Sequence, residues 1–124
     1  MMTWLSIGAG GALGAMTRHA LNTWIERQHV WPAFPAGIFA VNVMGSAAIG
    51  VLAGLMASGR LPVSPDLRAF LMIGLLGGFT TFSSFSLDTI ALVRVGLFLP
   101  AVLNVVGQVA LSILAAAAGY RVAS

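Results

Sequence analysis

The residues best suited to chemistry lie in one stretch, Leu75–Asp88, which reads LLGGFTTFSSFSLD. It holds a Gly-Gly pair together with several threonines, serines and phenylalanines. Hydroxyl groups donate hydrogen bonds without carrying charge, and a phenyl ring presents a positive edge. Such groups can replace the water around a small anion, whereas rings of acidic side chains would favour a cation. The stretch is therefore predicted to be the functional centre, and it indicates a path for a small anion.

Within this stretch the aromatic and hydroxyl side chains form two rows. Phe82 and Phe85 are three residues apart, which on a helix places them on one face. Ser83 and Ser86 form a parallel row beside them, and Thr81 adds a further hydroxyl. These rows could simply pack between helices, or their ring edges could line an anion path without binding the ion too tightly. A Phe pair at helical spacing favours packing when taken alone, and the TTFSSFS run as a whole reduces that preference.

Other polar side chains interrupt the apolar sequence elsewhere. Asn42 could join two helices through a hydrogen bond worth about 1 kcal/mol, or it could donate to the path. Asn104, Gln108 and Ser112 recur every fourth residue, hence on one helix face, and this face could be a polar track or a dimer interface. Arg18 could extend to the membrane surface or concentrate anions at a vestibule.

A helix break is predicted where Gly77 and Gly78 are followed by Thr80 and Thr81. Carbonyl groups freed by a break inside a membrane need a cation or hydrogen-bond donors. The alternative is a kink whose freed groups are satisfied by the threonine hydroxyls. The spacing is consistent with both.

The composition indicates an integral membrane protein that is not an enzyme. The chain is 59% hydrophobic and only 7% charged, whereas soluble domains are roughly a quarter charged. It has no cysteine, which excludes thiol catalysis, and it carries no Ser-His-Asp set or phosphate-binding loop. Its arginines are scattered singly, so the expected surroundings are a lipid bilayer and no nucleic acid partner is expected.

Four apolar runs fill the chain and predict a single all-α membrane domain with four transmembrane helices. They cover roughly residues 3–24, 36–58, 67–94 and 97–120, each long enough to cross a bilayer. The third run contains the predicted break near the middle of the membrane. Gly10 and Gly14 in the first run, and Gly50 and Gly54 in the second, predict close contacts between helices.

Charge does not select one orientation in the membrane. With four spans, one side holds Arg60, Arg68 and Arg121, and the other holds Arg27 and Arg94 with Arg18 near the same boundary. This balance lacks the usual excess of positive charge on the cytoplasmic side. It predicts dual topology and an antiparallel homodimer, in which two opposed copies recreate an inverted repeat.

Three motifs carry a resemblance to a known family. They are GGFTTFSSFS at Gly77–Ser86, GIFAVNVMGS at Gly37–Ser46 and GALGAMTRH at Gly11–His19. Together they resemble the Fluc fluoride channel family, also called CrcB, across essentially the whole chain. The resemblance implies passive export of cytoplasmic fluoride through two antiparallel pores, in a multi-pass protein of a bacterial-type plasma (inner) membrane.

The resemblance also assigns roles to residues. It implies a structural sodium ion at the dimer centre, held by the backbone carbonyls of Gly77 and Thr80. The pore residues that it implies are Asn42, Thr81, Phe82, Ser83, Phe85 and Ser86, with Arg18 at the vestibule and Asn104, Gln108 and Ser112 along a fourth-helix track. The chain departs from the family pattern at Ile38 and at Ser84, where the family usually has threonine, and on the fourth helix, where a Tyr-and-Ser track is usual.

Two other classes of membrane protein fit less well. A small proton-coupled drug exporter would need a glutamate embedded in the first helix, and the first run has none. A non-conducting subunit that only assembles with others would need no more than the glycine pairs. That interpretation leaves the cluster of hydroxyls and rings unexplained.

Overall fold

Every regular element of the chain is a helix. The computed structural model describes residues 1–124. Its helices are α1 (Met2–Arg27), α2 (Ala36–Ala57), α3 (residues 65–79), α4 (Phe82–Arg94) and α5 (Phe98–Ala123). Within α3, a first turn at Pro65–Arg68 leads into a wider π-helical stretch at Ala69–Leu75 and a last turn at Leu76–Phe79.

Three parts of the chain are long and apolar enough to cross a membrane. These are Ala36–Ala57, Pro65–Arg94 (α3 and α4 together) and Phe98–Ala123. The chain is therefore a multi-pass integral membrane protein. α1 has 26 residues and at about 1.5 Å per residue it measures roughly 39 Å, more than the ~30 Å hydrocarbon core. Its crossing of the membrane stays a prediction.

The predicted break in the third span is confirmed, at Thr80 and Thr81. Both residues are extended, with φ −85° and ψ 157° at Thr80 and φ −152° and ψ 117° at Thr81. The Thr81 hydroxyl then begins α4, because it accepts a hydrogen bond of 3.1 Å from the backbone N–H of Ser84. A threonine at this position satisfies one of the donors that the start of a helix leaves free.

α1 packs on α3 through a seam of glycines. A Cβ added at Gly10 would lie 2.5 Å from the Phe70 carbonyl oxygen, and one added at Gly74 would lie 2.7 Å from the Ile7 carbonyl oxygen. A Cβ at Gly14 would also meet the α3 backbone. The two backbones approach so closely that no side chain fits between them. The close contact predicted from Gly10 and Gly14 is confirmed.

α2 and α5 form a second glycine-mediated pair. A Cβ added at Gly54 would lie 2.6 Å from the Tyr120 carbonyl oxygen, and one at Gly119 would lie 2.7 Å from the Ala47 carbonyl oxygen. Gly50 meets the α5 backbone in the same way. Small residues at such contacts allow the dispersion attraction on which helix association in membranes depends. The prediction from Gly50 and Gly54 is therefore confirmed as well.

The centre of the molecule is partly polar. Val41 and Asn104 are the largest side chains that are completely buried, each with 0% of its surface exposed. Thr81 and Gln108 are buried as well. Burial of an amide is costly unless its hydrogen bonds are made, so these side chains must have hydrogen-bond partners within the protein.

Candidate functional site at the break in the third span

The side chain of Asn42 on α2 pairs with the backbone of the break. Its Oδ1 accepts a hydrogen bond of 2.8 Å from the Thr81 N–H, and its Nδ2 donates one of 3.0 Å to the Thr81 carbonyl. The amide therefore pairs with the extended backbone of Thr81 in the way that a neighbouring β-strand would. This pairing satisfies both backbone groups of a residue that has left the helical pattern, as a membrane interior requires.

A chain of hydrogen bonds, which we call the relay, continues from Asn42 into the protein. Asn42 Nδ2 also donates to Gln108 Oε1, and Gln108 Nε2 donates over 3.0 Å to Asn104 Oδ1. Asn104 Nδ2 donates over 3.0 Å to Thr89 Oγ1, and Thr89 Oγ1 donates over 2.8 Å to the Phe85 carbonyl. The relay thus joins α2, α5 and α4.

Thr89 is a member of the relay that the pattern of amides does not predict. It lies one helical turn after Phe85, and that spacing is the only signal for it in the sequence. Ser112, which shares a helix face with Asn104 and Gln108, stays outside the relay. Its hydroxyl oxygen is buried and has no hydrogen-bond partner within the chain.

The hydroxyls of the central stretch fall into two groups. Thr81 Oγ1 lies 3.2 Å from both Ser83 Oγ and Ser84 Oγ, so these three hydroxyls cluster at the start of α4. Ser86 instead donates over 2.9 Å to the carbonyl of Phe82, four residues earlier on its own helix. The two serines of the predicted row, Ser83 and Ser86, are therefore not equivalent.

The two predicted pore phenylalanines touch but differ in exposure. Their ring centroids are 5.3 Å apart and their planes are inclined by 51°. Phe85 is 8% exposed, whereas Phe82 is 77% exposed. One ring is fixed among the helices, and the other is free on the outside of this single copy.

An open cleft of about 440 Å³ runs past the break. Of the predicted site residues it is lined by Asn42, Gly77, Thr80, Thr81, Phe82, Phe85, Gln108 and Ser112. Ser46 adds a hydroxyl that was not predicted, while Arg18, Ser83, Ser86 and Asn104 do not line it. Most of the predicted site thus lies around one space between α2, α3, α4 and α5.

The carbonyl groups of the break have lost their helical donors. The Thr81 N–H, which would reach Gly77 in an unbroken helix, is held by Asn42, and no other group of the chain donates to the Gly77 carbonyl. The Thr80 carbonyl accepts one bond, of 3.4 Å, from Nη1 of Arg18. The Thr80 hydroxyl returns over 2.9 Å to the Leu76 carbonyl, so a threonine hydroxyl stabilises the kink as well.

At the departures from the family pattern, Ile38 is buried, at 8% exposure, and its side chain belongs to the apolar core. Ser84 keeps the hydroxyl that a threonine would offer, and that hydroxyl lies within the cluster at Thr81. On α5, the amides of Asn104 and Gln108 bond to each other.

Fold and site together define a small multi-pass helical membrane protein, with one broken span and a cleft of uncharged polar groups and aromatic rings at the break. The family model described as CrcB-like protein, Camphor Resistance (CrcB), matches residues 5–120. The chain belongs to this family, and the resemblance seen in its motifs is confirmed.

Similar proteins bear the name of a channel. A fluoride-specific ion channel FluC of Rhizobium meliloti (strain 1021) is 47% identical over 115 residues, which cover 93% of this chain and 90% of that protein. One of Paramagnetospirillum magneticum is 45% identical over 100% of this chain and 97% of its own length. One of Opitutus terrae is 47% identical over 97% of this chain and 91% of its own length. Ion channels are not enzymes, in agreement with the class predicted from composition.

Proposed function

We propose that this protein is a fluoride-selective passive ion channel that exports cytoplasmic fluoride. The observation that carries the proposal is the cleft at the break, where uncharged donors and aromatic rings surround one space between α2, α3, α4 and α5. The name of the relatives supports the choice of fluoride among small anions. A path for an anion needs donors and no embedded acid, and the cleft is lined by hydroxyls, amides and rings together with the aliphatic side chains of Ile49, Met72, Leu76, Val109 and Ile113.

Fluoride is small and strongly hydrated, so a path must replace its water with donors at every step. In the cleft, the unpartnered Ser112 hydroxyl can turn towards the ion, and the positive edges of Phe82 and Phe85 can stabilise it without holding it. Thr81 supplies a hydroxyl at the start of α4, and the Ser83 hydroxyl lies behind it, 3.2 Å from Thr81 Oγ1. Asn42 contributes by holding Thr81 at the wall of the path.

No energy coupling is required for such a channel. Hydrogen fluoride crosses membranes as a neutral acid and ionises in a less acidic cytoplasm, where the anion accumulates. A selective leak then lets the anion flow down its own gradient. Arg18, whose guanidinium lies at the break beside the Thr80 carbonyl, would raise the local concentration of anions.

We further propose that the working unit is an antiparallel homodimer with four spans in each copy, α1 being the fourth. The balanced distribution of arginines supports both orientations in the membrane. The exposure of Phe82, 77% in a single copy, supports a partner surface that would cover this ring. Each pore would then use residues of both copies.

The break also fits a sodium ion at the dimer centre. The carbonyl of Gly77 has no donor within the chain, and a carbonyl oxygen has two lone pairs, so that of Thr80 keeps one free beside its bond to Arg18. Unwound backbone carbonyls are ligands that Na⁺ accepts. In the dimer, Gly77 and Thr80 of both copies would hold the ion. Exchange of sodium for a large organic cation should then weaken the dimer in detergent, measured by size-exclusion chromatography.

The proposed function is tested by ion efflux from liposomes that contain only the purified protein. The vesicles are loaded with fluoride or with chloride, and a potassium ionophore relieves the charge that builds up. We expect rapid release of fluoride and negligible release of chloride. Release of neither ion by an intact dimer would contradict the proposal, and transport of an organic cation against protons would favour the exporter class instead.

A further inference from the structure

The relay joins the break to the first part of α4 through side chains of two other helices. It begins at Thr81, within the break, and ends at the Phe85 carbonyl in the second turn of α4. Between these ends it passes through α2 and α5. The start of α4 is therefore fixed from both ends by side chains of two other helices.

The direction of every bond in the relay follows from the backbone of Thr81. An N–H can only donate and a carbonyl can only accept, so the two bonds to Thr81 fix which way the Asn42 amide is turned. Its remaining N–H then fixes Gln108, and Gln108 in turn fixes Asn104. Each amide is thus set by the one before it.

Both N–H bonds of Asn42 are used within the protein, one on Thr81 and one on Gln108. Asn42 therefore has no donor left for an anion. Asn104, with 0% exposure, and Thr89 do not line the cleft at all. Asn104 and Thr89 therefore contact only the protein, and any effect of these two residues on conduction must act through its geometry.

We propose that Thr89, Asn104 and Gln108 are positioning residues for the fluoride path, acting through Asn42 to hold the break and the start of α4. This rests on the proposed function. Asn104 and Gln108 are buried and the other bonds of the relay are part-buried, so loss of one link leaves unsatisfied polar groups on both sides of the cut. The amides then turn towards other partners, and Thr81 and Phe85 leave the positions that the path requires.

Thr89 gives the sharpest test, because it lies at the far end of the relay and outside the cleft. Thr89→Val keeps the shape of the side chain but removes the hydroxyl, and Thr89→Ser keeps the hydroxyl as the matched control. We expect Thr89→Val to slow fluoride efflux from liposomes about tenfold, the equivalent of one lost buried hydrogen bond. Thr89→Ser should stay within about twofold of the unaltered protein.

A double-mutant cycle separates positioning from direct contact. Gln108→Met cuts the same relay nearer the break, so combining it with Thr89→Val should slow efflux no further than Gln108→Met alone. If the two effects multiply, Thr89 and Gln108 act independently and the proposal is wrong. Gln108→Met also serves as the second variant if Thr89→Val does not fold.

Hydrogen–deuterium exchange at the backbone amides of residues 81–84 provides a readout that does not depend on conduction. Exchange there should quicken at least severalfold in Thr89→Val and Gln108→Met and stay unchanged in Thr89→Ser. Unchanged exchange in both relay variants would overturn the proposal. If the unaltered protein moves no fluoride, the proposed function fails, and the exchange rates still decide whether the relay holds the break.

Discussion

The carboxamide of Asn42 pairs with the backbone of Thr81 through two hydrogen bonds, of 2.8 and 3.0 Å. Thr81 is 39 residues further along the chain, and its backbone is extended between two helical segments. The pairing gives the break in a membrane-spanning helix the partners that water would supply elsewhere. It also commits the amide to the protein, because both N–H groups of Asn42 are used there, on Thr81 and on Gln108.

Asn42→Asp should abolish most fluoride conduction. A carboxylate can still accept from the Thr81 N–H, but it cannot donate to the Thr81 carbonyl or to Gln108, and its charge repels an anion in the cleft. We expect efflux to fall by a factor of at least roughly a hundred, because two donated hydrogen bonds are lost and the new charge repels the anion. The loss is measured as the rate of fluoride efflux from liposomes that contain Asn42→Asp, relative to the unaltered protein.

The control for this substitution is Gly8→Ala, at a position where an added Cβ meets nothing within 4 Å. This variant should conduct as the unaltered protein does. Faster conduction in Asn42→Asp would contradict both the anion path and the role of Asn42 at the break.

The sequence predicts the break and the helix contacts well, for local reasons. A Gly-Gly pair before Thr80 and Thr81 weakens a helix wherever it stands, and glycines four apart at Gly10 and Gly14 form a smooth face. Both features follow from neighbouring residues. The end of α1 is less certain from the pattern, which stops at residue 24 whereas the helix continues to Arg27.

The partners within the site could not be predicted in the same way. Asn104 bonds to Thr89 across 15 residues of sequence, and this depends on how α5 rotates against α4. Spacing places Asn104 and Gln108 on one face, but it leaves both a dimer interface and an internal track possible. The structure turns these two amides inwards, because each finds its hydrogen-bond partners there.

Substitution of the two phenylalanines should separate conduction from stability. Phe82→Ile and Phe85→Ile both remove a ring edge, so both should slow fluoride efflux. Phe85 is 8% exposed within one copy and Phe82 77%, so Phe85→Ile should lower the free energy of unfolding of the single copy by roughly 1–3 kcal/mol, whereas Phe82→Ile should affect only the contact with the proposed partner copy. Thermal unfolding in detergent measures the second effect, and unchanged efflux in both variants would argue against conduction along ring edges.

Gly10→Ala should loosen the contact between α1 and α3. The new Cβ would lie 2.5 Å from the Phe70 carbonyl oxygen, closer than real atoms pack, so the helices must separate. Overpacking of this kind costs roughly 1–3 kcal/mol. Gly8→Ala, on the same helix with open space around it, should stay within about 0.5 kcal/mol. Equal thermal stability of the two variants would show that the glycine seam is not a tight contact.

Dual topology predicts that both orientations occur in the same membrane. Because the chain has no cysteine, a single one introduced by Ala33→Cys in the exposed loop after α1 can be labelled selectively by a reagent that does not cross membranes. With charge balanced across the membrane, about half of the molecules should react from each side. An added arginine in the same loop, by Gln28→Arg, should shift the ratio, because the side with more positive charge stays in the cytoplasm. If Ala33→Cys without the added arginine is labelled from one side only, an antiparallel dimer is ruled out and the two copies must be parallel.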